Sequence, residues 1–202
     1  MQGKQPSTHN MMMLLSGLVC FLVLTAEAGV GHSSQQSLPY DLMSQTGDFE
    51  ERNYGSVKWA SANETSFSMD FTTMDSFKLL SEYFSGANGN GTTMEMTFPI
   101  LLRIPFNISS ETAASMISFL LPAKYQTNPP NPLDDMHWQL MRVDLQVSIH
   151  GTPNMTVFAK RYSGMMTAMS DNTTTAINLS AILDLLGLGH VQNYFYAAVY
   201  NR

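Results

Sequence analysis

Cysteine is nearly absent from this chain. The sequence has 202 residues and one cysteine, Cys20, which lies inside an apolar N-terminal segment. A domain that begins after this segment has no thiol, so disulfides and cysteine-ligated zinc or iron–sulfur centres are excluded. The remainder, about 170 residues, is long enough to form one core without such cross-links.

Charge and catalytic motifs are scarce as well. Charged residues make up 13% of the chain, with 10 Lys and Arg against 16 Asp and Glu. No basic run is present, which argues against nucleic acid as a partner, and no polybasic stretch indicates a membrane surface. Gly-x-Ser-x-Gly, a phosphate-binding loop and metal-ligand histidine spacing are all missing. We therefore expect no enzymatic activity and no protein-bound metal site.

The N-terminus has the organisation of a secretory signal. Residues 11–26 are apolar, follow a polar stretch that contains Lys4, and end in the sequence AEA at 26–28. This order is typical of a cleavable signal peptide. The apolar stretch is shorter than the about 20 residues of a membrane-spanning helix. We predict a signal peptide at 1–28, a secreted, extracellular protein, and no membrane span after cleavage.

Sequons for N-glycosylation follow this signal throughout the chain. Each has the form Asn-x-Ser/Thr without a central proline, at Asn63, Asn90, Asn107, Asn154, Asn172 and Asn178. Chance triplets arise in a chain rich in Ser, Thr and Asn, but six in an exported protein predict glycans on half of them or more. Residues 66–86 contain no sequon.

Hydrophobic periodicity divides the chain into an arm and a domain. Residues 29–45 are polar and aperiodic, so we interpret them as a flexible arm before a domain at 46–202. The pattern predicts helices at 72–85 and 174–186, ended by Gly86 and Gly187. It predicts strands at 49–60 with a kink at Gly55, at 94–105, 114–121 and 194–200, and a hairpin formed by 138–150 and 155–162.

Two parts of the chain resemble each other. The segment FEERNYG at 49–55 has a counterpart in FAKRYSG at 158–164, and each precedes a helix, a glycine and an aromatic-rich strand. Two imperfect copies are weak evidence, and chance similarity stays an alternative. A duplicated unit of this kind predicts an α+β fold in which two helices pack on one antiparallel sheet or barrel.

Six segments, in order, resemble the SOUL family of haem-binding proteins. They are FEERNYG at 49–55 with KW at 58–59, FKL at 77–79, MEMTFPI at 94–100, NPPNP at 128–132, MTVFAKRYSG at 155–164 and YFYAAVY at 194–200. The resemblance implies a distorted antiparallel β-barrel flanked by two α-helices, with internal pseudo-twofold duplication. It also implies reversible binding of haem or another tetrapyrrole on an apolar surface beside the first helix.

The resemblance also indicates which residues form the ligand site. It places Met74, Phe77, Lys78 and Ser81 on the groove side of the first helix, with Lys78 as a propionate partner. A Met and Phe stripe at helical spacing fits an ordinary core equally well. Some members carry a proposed axial histidine at the position of Asn53, so that ligand is missing here.

Two further features qualify the site. His150 and His190 are possible axial ligands, although both are interpreted most simply as exposed polar residues. The family's C-terminal extension stops at Asn201-Arg202, so we expect one wall of the cleft to be absent.

The sequence supports two functions. The first is a secreted, non-catalytic carrier or scavenger of haem or porphyrin. The alternative is an extracellular protein-interaction module on the same scaffold that has lost haem binding, motivated by Asn53 and the short C-terminus. No protein partner can be named from the sequence.

Overall fold

The computed structural model describes residues 19–24, 38–64, 75–106, 115–133, 145–162 and 169–200. These residues form nine strands, two α-helices and one short 3-10 helix, Ala123–Tyr125. The strands are β1 Val19–Leu24, β2 Tyr40–Gln45, β3 Glu50–Tyr54, β4 Val57–Glu64, β5 Ile100–Pro105, β6 Ser115–Leu120, β7 Ser148–Thr152, β8 Met155–Arg161 and β9 Tyr194–Val199. The helices are α1 Asp75–Phe84 and α2 Met169–Leu185.

The strands form one sheet in the order β2-β3-β8-β1-β9-β5-β6-β4-β7. Strand β1 runs parallel to both of its neighbours, β8 and β9, whereas all other pairs are antiparallel. The fold is therefore α+β, with antiparallel groups of three strands (β2-β3-β8) and five strands (β9-β5-β6-β4-β7) that meet at β1. The strands described here do not close into the expected barrel, since β2 and β7 each pair with one strand.

Successive residues of a strand point to opposite sides of the sheet, and each side carries a cluster of buried residues. One side, which we call the helix face, packs against α1 and α2 through residues such as Ala60, Phe119 and Phe195. The other side, the second face, holds a separate apolar cluster that includes Trp59 and Leu101. Helix α1 lies on β4 and β6, and α2 lies on β1.

Two predictions about chain organisation are wrong. The flexible arm was expected to extend to residue 45, but Tyr40–Gln45 form β2, paired antiparallel with β3. Residues 29–37 lie outside the described part. The hairpin at 138–162 is also wrong, because β7 pairs with β4 and β8 pairs with β3 and β1. Pro153 between them offers no N–H to a turn bond, and the two strands diverge.

Most local predictions agree with the structure. The kinked strand at 49–60 is the pair β3 and β4, which break at Gly55. Helix α1 ends before Gly86, and α2 ends before Gly187, both at positive φ. Strands β6 and β9 lie where the pattern predicted them. The strand predicted at 94–105 is shorter, since only Ile100–Pro105 are extended, after the cis Phe98–Pro99 bond.

The element order repeats along the chain. Strands β3 and β4 precede α1 and β5, as β7 and β8 precede α2 and β9. Strands β3 and β7 each have five residues, so β3 corresponds to β7 and β4 to β8. The sequence alignment of 49–55 with 158–164 does not follow this order, because β4 lies between β3 and α1, whereas β8 is the strand that precedes α2.

Candidate functional site

Helix α1 forms because its apolar residues recur on one side. Leu79, Leu80, Tyr83 and Phe84 are all buried against the sheet, and Asp75 places a negative charge in the first turn, where the helix dipole favours it. Gly86 ends the helix with φ 109°. The buried Asn88 side chain donates to the carbonyls of Tyr83 and Thr92, which satisfies backbone groups that the helix end leaves free.

The C-terminal end of α1 is tied to the proline-rich loop at 128–132. The Tyr83 hydroxyl donates to the Pro130 carbonyl at 2.6 Å, and the Gly89 amide donates to the Asn131 carbonyl at 2.7 Å. Burial raises the pKa of Tyr83 to about 12, so this hydroxyl keeps its proton. The helix is therefore fixed in place at its end, which gives the residues one and two turns earlier a defined orientation.

Three of the four predicted groove residues lie on described turns of α1. Phe77 is half-buried and meets Phe119 edge to face, with 5.3 Å between ring centroids. Lys78 is exposed, and its Nζ lies 3.6 Å from the Asp75 carboxylate. The Ser81 hydroxyl donates to the Phe77 carbonyl at 2.8 Å and so is engaged within the helix. Met74 lies outside the described residues.

Val147, which directly precedes β7, and Ile149 within β7 are apolar residues that the sequence did not assign to the site. Val147 and Ile149 are half-buried and pack against the same cluster as Phe77. Ile149 lies opposite Ala60 on the helix face. Their alternation with Ser148 and His150 was visible in the sequence. We call Phe77, Lys78, Ser81, Val147 and Ile149 the α1 surface.

His150 lies on the second face of the sheet. Its ring Nδ1 is 3.2 Å from the Ser61 hydroxyl, which in turn donates to the Ser118 hydroxyl at 2.7 Å. Ser61 thus connects the His150 ring to Ser118 across β4. Burial lowers the pKa of His150 below its ordinary value of 6.5. His150 is therefore a neutral imidazole, and it lies in a strand rather than in an exposed turn.

His190 differs, because both of its ring nitrogens are engaged. Nε2 lies 2.7 Å from the Ser180 hydroxyl and Nδ1 lies 3.1 Å from the Leu188 carbonyl. Its side chain is 1% exposed, so the interpretation as an exposed residue is wrong. His190 joins the loop after α2 to the helix and has no lone pair to offer to iron in this arrangement.

The helical and histidine parts of the predicted site lie on opposite faces. Ala60 and Ala62 face α1, and Ser61 between them points the other way with His150. Phe77 packs on Phe119, again on the helix face. One flat ligand on the α1 surface therefore does not reach His150.

A buried charge cluster marks the other end of the second face. Arg52 is 2% exposed and its guanidinium contacts Glu50 at 2.7 Å, the Tyr54 hydroxyl at 3.2 Å and the face of Tyr40 at 4.2 Å. Burial opposes the charge of Arg52, but the bonds to Tyr54 and Glu50 outweigh it and raise the Arg52 pKa. Glu50 also contacts Arg161 of β8 at 3.1 Å. This cluster links β3 to β8.

Asn53 points away from this cluster. It alternates with Arg52 along β3, and its side-chain amide donates to the Thr156 hydroxyl at 3.2 Å. The position for which the family resemblance implied an axial histidine is thus occupied by an amide on β3 that bonds to Thr156 of β8.

Four sequon asparagines lie at exposed positions: Asn63, Asn90, Asn154 and Asn178. Asn172 lies within α2, and Asn107 lies outside the described residues. Asn178 is on α2, whereas the described residues of α1 hold no sequon. Asn90 follows α1 in the loop that Asn88 organises.

The described residues contain neither a metal-binding group nor a candidate membrane helix. They hold no group of three or more His, Cys, Asp or Glu side chains with the arrangement of a metal site. Neither α1 nor α2 combines the length and apolarity that a bilayer-spanning helix requires.

The fold and the site thus describe a binding scaffold, and comparison with known proteins agrees. The family model for SOUL heme-binding proteins matches residues 35–202, so the chain belongs to the SOUL family. Heme-binding protein 2 of Homo sapiens is 30% identical over 168 residues, which cover 81% of this chain and 75% of the relative. Heme-binding protein 1 of Bos taurus is 25% identical over 167 residues, covering 80% and 82%. Members of this family are non-catalytic binding proteins, and membership suggests a haem or tetrapyrrole ligand.

Proposed function

We propose that this chain is a secreted, non-catalytic carrier of haem or a related tetrapyrrole, which binds on the α1 surface without a histidine on iron. The observation that carries the proposal is the combination, on one short helix, of a half-buried aromatic ring and an exposed cation. Phe77 offers an apolar face, and Lys78 offers a charge to a propionate. Haem, a flat apolar disc with two carboxylates, needs both kinds of group.

Neither histidine of the described residues is placed to ligate iron on the α1 surface. His150 lies on the second face, and His190 has both nitrogens engaged. Asn53 is held by Thr156. A ligand on the α1 surface therefore depends on apolar contact and on Lys78, and we expect moderate affinity.

Export and glycosylation are part of the same proposal. The N-terminal signal pattern motivates export, and the exposure of Asn63, Asn90, Asn154 and Asn178 makes these side chains accessible to glycan transfer. A glycan on Asn178 covers α2 and leaves the α1 surface open. Release of a shortened, endoglycosidase-sensitive chain into the medium supports this; intracellular retention of the uncleaved chain contradicts it.

We also infer that the domain arose by duplication. The repeated order of elements, β3-β4-α1-β5 and β7-β8-α2-β9, supports this inference. It makes α1 and α2 equivalent, so α2 supplies an internal control for ligand binding. Ile182 of α2 is half-buried against its own cluster, as Phe77 of α1 is.

Titration with hemin, followed at the Soret band, tests the binding proposal. We expect saturable binding at micromolar hemin that Phe77→Ala weakens about tenfold, or about 1.4 kcal/mol. Lys78→Gln should weaken it roughly threefold, since an exposed ion pair contributes about 1 kcal/mol or less.

The matched controls are Ile182→Ala on α2 and His150→Ala on the second face, neither of which should change the affinity or the Soret position. A titration without a saturable shift contradicts haem binding. Loss of binding in His150→Ala, with Phe77→Ala unaffected, contradicts the location on the α1 surface.

A further inference from the structure

The two halves of the sheet have equivalent central positions that different segments fill. In the first half, β6 lies between β4 and β5 and runs antiparallel to both, with α1 packed on it. In the second half, β1 lies between β8 and β9 and runs parallel to both, with α2 packed on it. We call the edges of β8 at 157–161 and of β9 at 196–199, which pair with β1, the β8–β9 slot.

The segment in this slot is the one that we expect to be removed. Strand β1, Val19–Leu24, is the apolar part of the predicted signal peptide, and the part of the chain that matches the family begins at residue 35. The first half, in contrast, fills its central position with β6, which lies inside the domain. Removal of residues 1–28 therefore empties the slot and leaves the first half intact.

An empty slot is unfavourable because the edges of β8 and β9 lose the strand that pairs with their backbone N–H and C=O groups. A buried unpaired polar group costs about 1–3 kcal/mol. Their side chains are buried on both faces with β1 in place, as Val157, Phe158, Ala197 and Ala198 demonstrate. A strand that fits there must therefore be apolar on both faces.

We propose that the β8–β9 slot of the exported chain is a strand-binding site, which takes an extended, uncharged segment of about six residues from a second polypeptide. The sequence of β1, VCFLVL, defines the chemistry of this partner, because it contains no charged residue and has the length of the slot. The slot lies under α2, away from the α1 surface. This inference rests on the proposed removal of the signal peptide, and it is independent of haem.

Hydrogen exchange on the exported protein tests the proposal. The full chain is secreted from eukaryotic cells and its N-terminus is sequenced. The probe is a synthetic peptide of residues 16–25 with Cys20→Ser and a charged tail for solubility. We expect it to bind saturably and to slow amide exchange at 157–161 and 196–199 on the order of tenfold or more.

The chain supplies its own control, since β4 and β5 already pair with β6 and their exchange should not change. A second control is the same peptide with Leu22→Pro, which cannot pair along both edges and should have no effect. Exchange at the two edges that is already as slow as in β4 and β5 overturns the proposal, because β8 and β9 then pair directly. An exported N-terminus that precedes residue 19 overturns it and the signal cleavage together, whereas direct pairing leaves cleavage untouched.

Discussion

The two halves of this fold share one order of elements but differ in what lies at equivalent positions. Arg52 is the third residue of β3, and His150 is the third residue of β7, the corresponding strand of the second half. Arg52 is a buried cation with a carboxylate partner, whereas His150 is a neutral ring bonded to Ser61. The two halves therefore share an order of strands but differ in the chemistry of the side chains at corresponding positions.

The helices differ in the same way. Helix α1 buries two aromatic residues, Tyr83 and Phe84, and is tied to the proline-rich loop. Helix α2 buries small or aliphatic residues and leaves Leu185 87% exposed at its end. The first half thus has a complete core and a rigid helix, and the second half depends on a strand from the N-terminal segment. We therefore expect ligand binding at the first helix and partner binding at the second half.

Removal of the Glu50 carboxylate should lower the free energy of unfolding far more than a substitution at the corresponding position of the second half. Glu50→Leu leaves the buried Arg52 guanidinium without its carboxylate, which costs about 3–5 kcal/mol. The equivalent residue in β7 is Ser148, whose hydroxyl donates to the Ser61 carbonyl at 3.2 Å. Ser148→Ala should cost about 1 kcal/mol or less. Urea unfolding of the two variants measures both values.

The double variant Glu50→Leu with Arg52→Met is the control for the first prediction. It removes both charges and should recover most of the loss, because no unpaired buried charge is left. A single variant as stable as the original chain would contradict the prediction and would mean that solvent replaces the carboxylate at Arg52, since Arg161, which also contacts Glu50, is itself a cation.

Substitution of the glycines that end the two helices should give a smaller difference in the free energy of unfolding. Gly86 has φ 109° and Gly187 has φ 66°. A side chain tolerates the left-handed region near 60° at a cost of about 1 kcal/mol, whereas φ near 110° is almost restricted to glycine. We expect Gly86→Ala to cost about 2 kcal/mol and Gly187→Ala about 1 kcal/mol in urea unfolding.

Space around the two glycines does not explain such a difference. A Cβ at Gly187 meets nothing within 4 Å, and one at Gly86 meets its nearest atom at 3.5 Å, an ordinary contact. Equal losses in the two variants would therefore contradict the assignment of the difference to backbone strain.

Sequence patterns predicted the elements of this fold better than their pairing. Both helices and their glycine ends follow from local periodicity, as does the break at Gly55 between β3 and β4. The hairpin at 138–162 failed because strand partners are chosen by contacts far apart in sequence, and adjacency along the chain is a weak guide to them. The segment VCFLVL at 19–24 could not be assigned to a sheet from the sequence, because a short apolar run is typical of both a signal segment and a central strand.

The sequence predicted the orientation of some residues of the candidate site but not their long-range contacts. The helical period oriented Phe77 and Lys78, and the strand alternation of Val147 and Ile149 was present in the sequence. Burial of His190 could not be foreseen, because its partner Ser180 is in the preceding helix and the loop must fold back to reach it. Sequence alone also could not show that His150 and Phe77 lie on opposite sides of the sheet, because this requires knowledge of which face each strand residue occupies.

The smallest expected effect is a pH dependence of thermal stability that His150 of β7 causes. Burial lowers the pKa of His150 in the folded chain below the ordinary 6.5, so the unfolded chain binds a proton more readily. The stability that this group contributes is complete above pH 6.5 and is lost as the pH falls towards the lower pKa of the folded state. His150→Gln should therefore lose less thermal stability than the original chain between about pH 7.5 and pH 5.

Arg52, at the equivalent position, keeps its charge over this whole range, so the contrast isolates the histidine. Differential scanning fluorimetry at several pH values measures it, and Ser61→Ala is the matched control. That variant removes the partner of Nδ1 but keeps a titrating ring, so its Tm should be lower at every pH and should retain a pH dependence. If His150→Gln and the original chain lose stability in parallel as the pH falls, the dependence arises from carboxylates elsewhere, and burial of His150 has no energetic consequence in acid.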